Sequence, residues 1–143
     1  MKSFIIPVAL FILFTACSPG KKSASGTDLS ALQGTWKLNY ITGPRIAFDG
    51  LYPDNKPTIS FDVKRKKVAG NTSCNSFSGA LTAEGKKISF AEPMAITKMA
   101  CRGEGETIFL EALKKINNYD FTAGYTLTLQ MGDVAMMRFT KVD

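Results

Sequence analysis

Alternation of apolar and polar side chains recurs through most of this chain and restricts it to a largely β-sheet fold. Apolar residues fall at every second position in four segments, residues 36–40, 59–63, 125–131 and 134–139. Such alternation is typical of strands that bury one face and leave the other in water. A Glu84-Gly85 pair between two shorter apolar stretches suits a hairpin turn.

One segment has a helical period instead. Between Glu104 and Ile116 the apolar positions recur at the spacing of one helix face. Lys114 and Lys115 near its end suit the negative end of the helix dipole, and Glu104 and Glu106 near its start are assigned to the positive end. The segment predicts a short amphipathic helix that covers the sheet.

Together these patterns predict a mainly β fold. We expect a strongly curved antiparallel sheet or small barrel of about seven to eight strands, with one short helix near residues 104–116. The expected core residues are Trp36, Phe61, Phe77, Phe90, Phe109, Leu113, Leu127 and Phe139.

The N-terminus has the pattern of an exported lipoprotein. Lys2 precedes an apolar run at residues 4–14, which is too short to cross about 30 Å of hydrocarbon as a helix. The small residues before Cys17 resemble a lipobox, in which the cysteine is lipidated and becomes the first residue of the mature protein. The alternative is an ordinary cleaved signal that ends at Ala16.

The chain therefore divides into three parts. We predict a signal peptide at residues 1–16, the lipidated Cys17 with a flexible tether at 17–28, and one domain at 29–143. By resemblance to lipoprotein sorting rules, Ser18 after the cysteine favours a membrane anchor in the outer membrane, facing the periplasm. The net charge of +6 is suited to contact with anionic lipid headgroups. Export from the cytoplasm argues against nucleic acid as a partner.

The absence of histidine removes several classes of active site. Ser/His/Asp and Cys/His nucleophile arrangements cannot be assembled without it. Zinc would need cysteine and carboxylate ligands alone, and the spacings that signal such a site are missing. We therefore expect no enzyme, no metal site and no cofactor.

If Cys17 carries lipid, the three cysteines leave Cys74 and Cys101 as a pair. An oxidising compartment favours a disulfide between them, which would stabilise the fold by about 3.5 kcal/mol through chain entropy. A redox-active pair and two unpaired buried thiols remain as alternatives.

Three separated motifs resemble the META domain, known from HslJ-like bacterial envelope lipoproteins. The residues that carry the resemblance are Leu32, Gly34, Trp36, Gly70, Cys74, Asn75, Phe77, Gly79, Thr97, Met99, Ala100 and Cys101. The resemblance implies that Cys74 and Cys101 form a structural bridge. It also implies tight backbone positions at Gly70 and Gly79, local hydrogen bonds from Asn75, and a place for Phe77 in the core.

The resemblance further implies a noncatalytic envelope lipoprotein, linked to envelope stress or to tolerance of novobiocin-like antibiotics, that binds or supports another envelope component. The alternative is a small lipocalin-like barrel for an apolar ligand, because the Gly34-Thr35-Trp36 stretch also opens lipocalins. The long loop at residues 42–56 offers Arg45, Asp49 and Tyr52 as possible partner contacts, although an inert covering loop would have the same composition.

Overall fold

Ten short strands, two α-helices and one 3₁₀ helix make up most of the described part of the chain. The computed structural model describes residues 28–90, 93–122 and 125–142, so the predicted signal peptide, Cys17 and the tether up to residue 27 lie outside it. In chain order the elements are a 3₁₀ helix at Leu29–Leu32, β1 at Gly34–Ile41, α1 at Phe48–Leu51, β2 at Thr58–Asp62, β3 at Lys67–Asn71, β4 at Ser76–Ala80, β5 at Thr82–Glu84, β6 at Lys87–Ser89, β7 at Ala95–Ile96, α2 at Gly105–Lys115, β8 at Asn118–Thr122, β9 at Thr126–Met131 and β10 at Val134–Lys141. Among the described residues, none of these helices has the length and apolar character needed to cross a bilayer.

All ten strands belong to one curled antiparallel sheet, in the order β5-β6-β8-β9-β10-β1-β2-β3-β4-β7. The predicted fold class is thereby confirmed. The strand count exceeds the prediction for two reasons. The edge strand β7 has two residues, and β8 follows α2 after a short break, where two alternating apolar residues are too few to signal a strand.

The helix α2 confirms the predicted segment to within one residue at each end. Its buried face includes Phe109, Ala112 and Leu113, and the Phe109 ring lies 5.9 Å from the ring of Phe77 on β4. The helix thus packs against the sheet through the apolar stripe that its sequence period predicts.

The residues predicted to form the core are buried. Each of the eight expected core residues is at most 3% exposed. The rings of Phe61 and Phe90 have centroids 6.4 Å apart, within the range of favourable aromatic pairs. Burying each of these large apolar side chains stabilises the fold by about 1.5–3 kcal/mol.

A β-bulge in β1 changes the face on which Tyr40 lies. Leu38 pairs with Phe139, and the next paired residue, Tyr40, lies opposite Arg138, so Asn39 is the extra residue. Alternation alone placed Tyr40 on the apolar face with Trp36 and Leu38, and that expectation is wrong. The bulge reverses the alternation, so Tyr40 is exposed and Ile41 is buried.

Candidate functional site

The two cysteines of the family motifs are bonded to each other. Cys74 and Cys101 form a disulfide with their Cα atoms 5.8 Å apart, which confirms the predicted bridge. It joins the turn between β3 and β4 to the segment that precedes α2. Because both sulfurs are in the bond, neither cysteine is a thiolate nucleophile in this state.

Asn75 organises the backbone around that bridge. Its side-chain oxygen accepts hydrogen bonds from the Met99 N–H and the Thr97 hydroxyl, each at 2.8 Å. Its amide nitrogen lies 3.1 Å from each of three acceptors, the Met99 carbonyl, the Cys101 sulfur and Glu106 Oε1. The side chain is 1% exposed. The sequence predicted hydrogen bonds from Asn75 to local backbone, and the structure shows that it fixes a segment distant in sequence.

Glu106 has a different role from the one its position suggested. It was assigned to the dipole of the helix, but its Oε2 accepts the Thr72 hydroxyl while Oε1 faces the Asn75 amide. Thr72 is fully buried, and its hydroxyl also receives the Asn75 backbone N–H at 2.9 Å. We call Thr72, Cys74, Asn75, Cys101 and Glu106 the disulfide cluster. The spacing of the motifs does not predict the contact between Thr72 and Glu106. Thr72 lies in the turn between β3 and β4, and the packing of α2 brings Glu106 to it.

The disulfide cluster also contains the ligand types of a metal site. One ligand atom each from Cys74, Cys101 and Glu106 lies within 4.8 Å of the others. A metal would need the sulfurs as thiolates, however, and the disulfide withholds them. In its oxidised form the cluster is a structural junction between the sheet and α2.

The glycines of the motifs occupy crowded backbone positions. Gly70 pairs with Phe77 across β3 and β4, and a Cβ atom on Gly70 would lie 2.2 Å from the Thr58 carbonyl oxygen. A Cβ atom on Gly79 would lie 3.0 Å from Met94. Gly34 has a φ of 107°, which favours glycine at the start of β1.

The remaining motif residues divide into core and surface. The ring nitrogen of Trp36 donates to the Leu32 carbonyl at 2.8 Å, which ties the 3₁₀ helix to β1. Met99 is 61% exposed, although its backbone is held by Asn75.

The three possible partner contacts in the long loop do not converge. Arg45 and Asp49 are exposed, and the Asp49 carboxylate forms an ion pair with Lys56 at 3.0 Å. The prediction that Tyr52 contacts a partner is wrong, because its side chain is 1% exposed and its hydroxyl donates to the Gly105 carbonyl at 3.0 Å. Burial raises the pKa of this hydroxyl to about 12. Tyr52 instead connects the loop to the first turn of α2.

A polar groove lies on the outer face of β1, β8, β9 and β10. Its volume is about 690 Å³, and it is lined by Asn39, Tyr40, Asp120, Thr122, Thr126, Thr128, Gln130, Ala135 and Arg138. The Arg138 guanidinium lies over the Tyr40 ring, 4.8 Å from its centroid, as a direct result of the bulge. The Thr122 and Thr128 hydroxyls are 3.2 Å apart, and Asp120 pairs with Lys86 at 3.1 Å. We call this the polar groove.

The polar groove has the chemistry of a site for a hydrophilic molecule. Hydroxyl, amide and charged groups supply directional hydrogen bonds, and the Tyr40 ring supplies a flat apolar face beside a guanidinium. The sequence did not predict this site, because the pairing of four strands assembles it. The bulge at Asn39 places Tyr40 in the groove, but the alternation of apolar and polar residues does not reveal a bulge.

Within the described residues, the packing of the core gives no support to the lipocalin-like alternative, in which the barrel would hold an apolar ligand. The rings of Phe77, Phe109, Phe61 and Phe90 pack there, and each of these residues is at most 3% exposed. Small barrels hold a ligand only where interior side chains leave room. The groove on the outer face is lined mostly by residues with polar or charged side chains.

Two solved structures have a fold similar to that of this chain. The fold resembles that in the NMR structure of a protein from Burkholderia xenovorans, with a TM-score of 0.60 and 21% identity over 95% of this chain and 98% of that chain. It also resembles that in the crystal structure of a DUF4847 family protein from Bacteroides vulgatus ATCC 8482, with a TM-score of 0.53 and 17% identity over 78% of this chain and 96% of that chain. At these identities the likeness concerns the fold alone.

No curated protein matches the sequence. A model of the META domain family, however, matches residues 27–143, which include the disulfide cluster, the crowded glycines and the polar groove. The chain therefore belongs to the META domain family.

Proposed function

We propose that this protein is a noncatalytic, lipid-anchored component of the bacterial cell envelope that binds a hydrophilic envelope component in the polar groove. The groove carries the proposal, because it combines a stacked Tyr40–Arg138 pair with hydroxyl and amide groups over about 690 Å³. The setting that the family resemblance suggests is envelope stress or tolerance of novobiocin-like antibiotics.

A binding role without catalysis agrees with the chemistry of the side chains. The sequence contains no histidine, and Cys74 and Cys101 are bonded to each other. In the polar groove the charged groups Asp120 and Arg138 engage Lys86 and Tyr40. These arrangements favour recognition of a partner over proton transfer or nucleophilic attack.

The polar groove is tested by removing its stacked pair. We expect the double variant Tyr40→Ser with Arg138→Gln to lose binding to soluble cell-wall glycan or peptide fragments, measured by calorimetry. The matched control is Tyr125→Ser with Arg102→Gln, which removes the same residue types outside the groove. If the groove variant binds these fragments as the control does, the groove is not the site.

The same two variants can be compared in cells. In a strain that lacks the chain, the groove variant should fail to restore growth under heat or novobiocin challenge, although its level equals that of the control. Full restoration by the groove variant would contradict the proposed role of the groove under these conditions.

The anchor is tested separately. We expect mass spectrometry of the membrane fraction to find a mature chain that begins at an acylated Cys17, and Cys17→Ser to abolish retention in the outer membrane. An unlipidated chain recovered from the soluble fraction of cells that make the natural protein would contradict the anchor and leave the groove untouched.

A further inference from the structure

One end of the sheet gathers the chain's densest group of cations. Gly34 pairs with Phe61, and Asp62 pairs with Lys67, so the start of β1, the end of β2 and the start of β3 lie together. The turn that joins β2 to β3 carries Lys64, Arg65 and Lys66, and β3 begins with Lys67; all four are exposed. We call this end of the sheet the Lys66 end.

The start of β9 and the end of β10 also lie at the Lys66 end. Lys141 pairs with Trp36 near the start of β1, and Thr140 pairs with Thr126 at the start of β9. Tyr125, immediately before β9, is 76% exposed, and Val142, immediately after β10, is 54% exposed. Tyr125 and Lys141 thus add an exposed aromatic ring and a further cation to this end of the sheet, a composition that favours the interface between a bilayer and water.

The start of the domain lies at the same end. The side-chain oxygen of Gln33 accepts the Val63 backbone N–H at 3.0 Å, and Leu29 lines a surface concavity together with Lys66. Asp28, where the described structure begins, therefore lies beside the basic turn. From Cys17 to Asp28 the covalent chain can span at most about 40 Å.

The carboxylates at this end offset the cations only in part. Asp62 pairs with Arg65 at 3.4 Å, and the Asp28 carboxylate accepts both the backbone N–H and the hydroxyl of Ser30. No ion pair with a carboxylate forms at Lys64, Lys66 or Lys67 within the described part of the chain. These three ammonium groups are therefore available to an external anion.

The opposite end of the sheet has a mixed charge. There Asn71 pairs with Ser76, whose carbonyl accepts the Thr97 N–H at 3.0 Å, so residues 97–104 border the disulfide cluster. Lys98 and Arg102 in this segment are exposed, and so is the nearby Glu104. We call this the Cys74 end.

We infer that the Lys66 end docks on a bilayer surface of anionic phospholipid and directs the Cys74 end away from the membrane. The inference rests on the proposed anchor at Cys17, which would hold the basic turn within reach of the headgroups. Tethering raises the local concentration of the surface, so weak charge attraction suffices for docking.

The test uses the mature lipidated chain, reconstituted in vesicles of phosphatidylcholine alone or with phosphatidylglycerol. A water-soluble amine-acylating reagent labels lysines, and mass spectrometry reads the rate at each position. We expect labelling at Lys64, Lys66 and Lys67 to slow at least threefold when phosphatidylglycerol is present and to recover in 0.5 M NaCl, because salt screens the attraction. Labelling at Lys98 should stay constant. Equal rates in both vesicles, or protection of Lys98 instead, would overturn the inference.

A pair of charge variants sharpens the result. Lys64→Gln, Lys66→Gln and Lys67→Gln together remove three charges at the Lys66 end, and Arg45→Gln, Lys98→Gln and Arg102→Gln remove three elsewhere. The readout for both is the rate of acylation at Lys141, which lies at the docking end. We expect protection of Lys141 by phosphatidylglycerol to persist in the second variant and to disappear in the first. Loss of protection in both would show that net charge alone is responsible, which contradicts a docking end.

The anchor and the docking surface give separate readouts in this experiment. Flotation with neutral phosphatidylcholine vesicles reports the lipid at Cys17, since those vesicles offer no charge to the cations. Protection that depends on phosphatidylglycerol reports the Lys66 end. A chain that floats without such protection retains the proposed anchor and refutes only the docking.

Discussion

The ring of Phe77 occupies the space above Gly70, its partner across β3 and β4. A Cβ atom on Gly70 would lie 2.7 Å from Phe77 Cζ and 2.2 Å from the Thr58 carbonyl oxygen. Gly70 therefore leaves room for the Phe77 ring over β3, and the centroid of the same ring lies 5.9 Å from that of Phe109. This contact explains why the motif around Cys74 combines a glycine at position 70 with an aromatic residue at position 77.

The variant Gly70→Ala should consequently be destabilised. We expect a loss of about 2–3 kcal/mol in the free energy of unfolding, measured by denaturant titration, because a backbone carbonyl cannot move aside cheaply. Gly50→Ala is the matched control, since its Cβ atom would meet only Ile46 Cγ2 at 3.3 Å. Equal stabilities for the two variants would contradict the close contact.

Asn75 should be sensitive to a change of charge as well as to truncation. Asn75→Ala removes the acceptor of the part-buried Met99 N–H and the other hydrogen bonds of a buried amide, and we expect a loss of about 2–4 kcal/mol in unfolding free energy. Asn75→Asp keeps the acceptor but sets a carboxylate beside Glu106. Two carboxylates in contact raise the pKa of one of them in the folded state, so the stability of this variant should recover as pH falls from 7 to 4.

The pH dependence distinguishes the loss of the Asn75 acceptor from the repulsion between a carboxylate at residue 75 and Glu106. Asn75→Ala and the surface control Asn55→Asp should show no such recovery, since neither brings a second carboxylate near Glu106. If the curve of Asn75→Asp is parallel to that of Asn75→Ala, the contact between residues 75 and 106 is absent in solution.

The sequence predicted the fold class, the helix α2, the hairpin between β9 and β10 and the core, because each depends on a local period or turn signal. It misplaced Tyr40, since a bulge of one residue reverses alternation without changing composition. It gave Glu106 a local role, since the partner Thr72 comes from another strand connection. Both errors arise from contacts between residues distant in sequence, and the polar groove was missed for the same reason.

The disulfide should contribute to stability and leave the polar groove intact. We expect the double variant Cys74→Ser with Cys101→Ser to lose about 2–5 kcal/mol in unfolding free energy, as small secreted domains do without a native bridge. In the unreduced protein, maleimide should label neither residue. Rapid labelling at neutral pH, or loss of groove binding in a folded variant, would point to a reactive role for these cysteines.

Tyr119 carries a buried polar group that the fold does not use. Its hydroxyl has no hydrogen-bond partner among the described residues, and its side chain is fully buried. Removing an unsatisfied hydroxyl is neutral or favourable, so Tyr119→Phe should gain up to about 1 kcal/mol in unfolding free energy. Tyr125→Phe, at a side chain that is 76% exposed, should leave stability unchanged. A loss of stability in Tyr119→Phe would mean that the hydroxyl has a partner.

Tyr52 should make the protein sensitive to alkaline pH. Burial raises the pKa of its hydroxyl from 10.0 to about 12, so the folded state holds this proton more tightly than the unfolded chain does. The associated stability is fully present below pH 10 and is lost as pH rises from about 10 to 12. Tyr119 shares this direction, because burial first and the charge of Asp28 second raise its pKa. The experiment is therefore done in a Tyr119→Phe background.

In that background, Tyr52→Phe should lose about 1 kcal/mol of unfolding free energy at pH 7, because the Gly105 carbonyl loses its donor. Between pH 10 and 12, however, its stability should fall less steeply than that of the parent, since the titrating hydroxyl is gone. Thermal unfolding followed across this range measures both effects. Parallel curves would show that the hydroxyl titrates equally in the folded and unfolded states, and a stability unchanged at pH 7 would show that its hydrogen bond to Gly105 contributes nothing to holding the loop on α2.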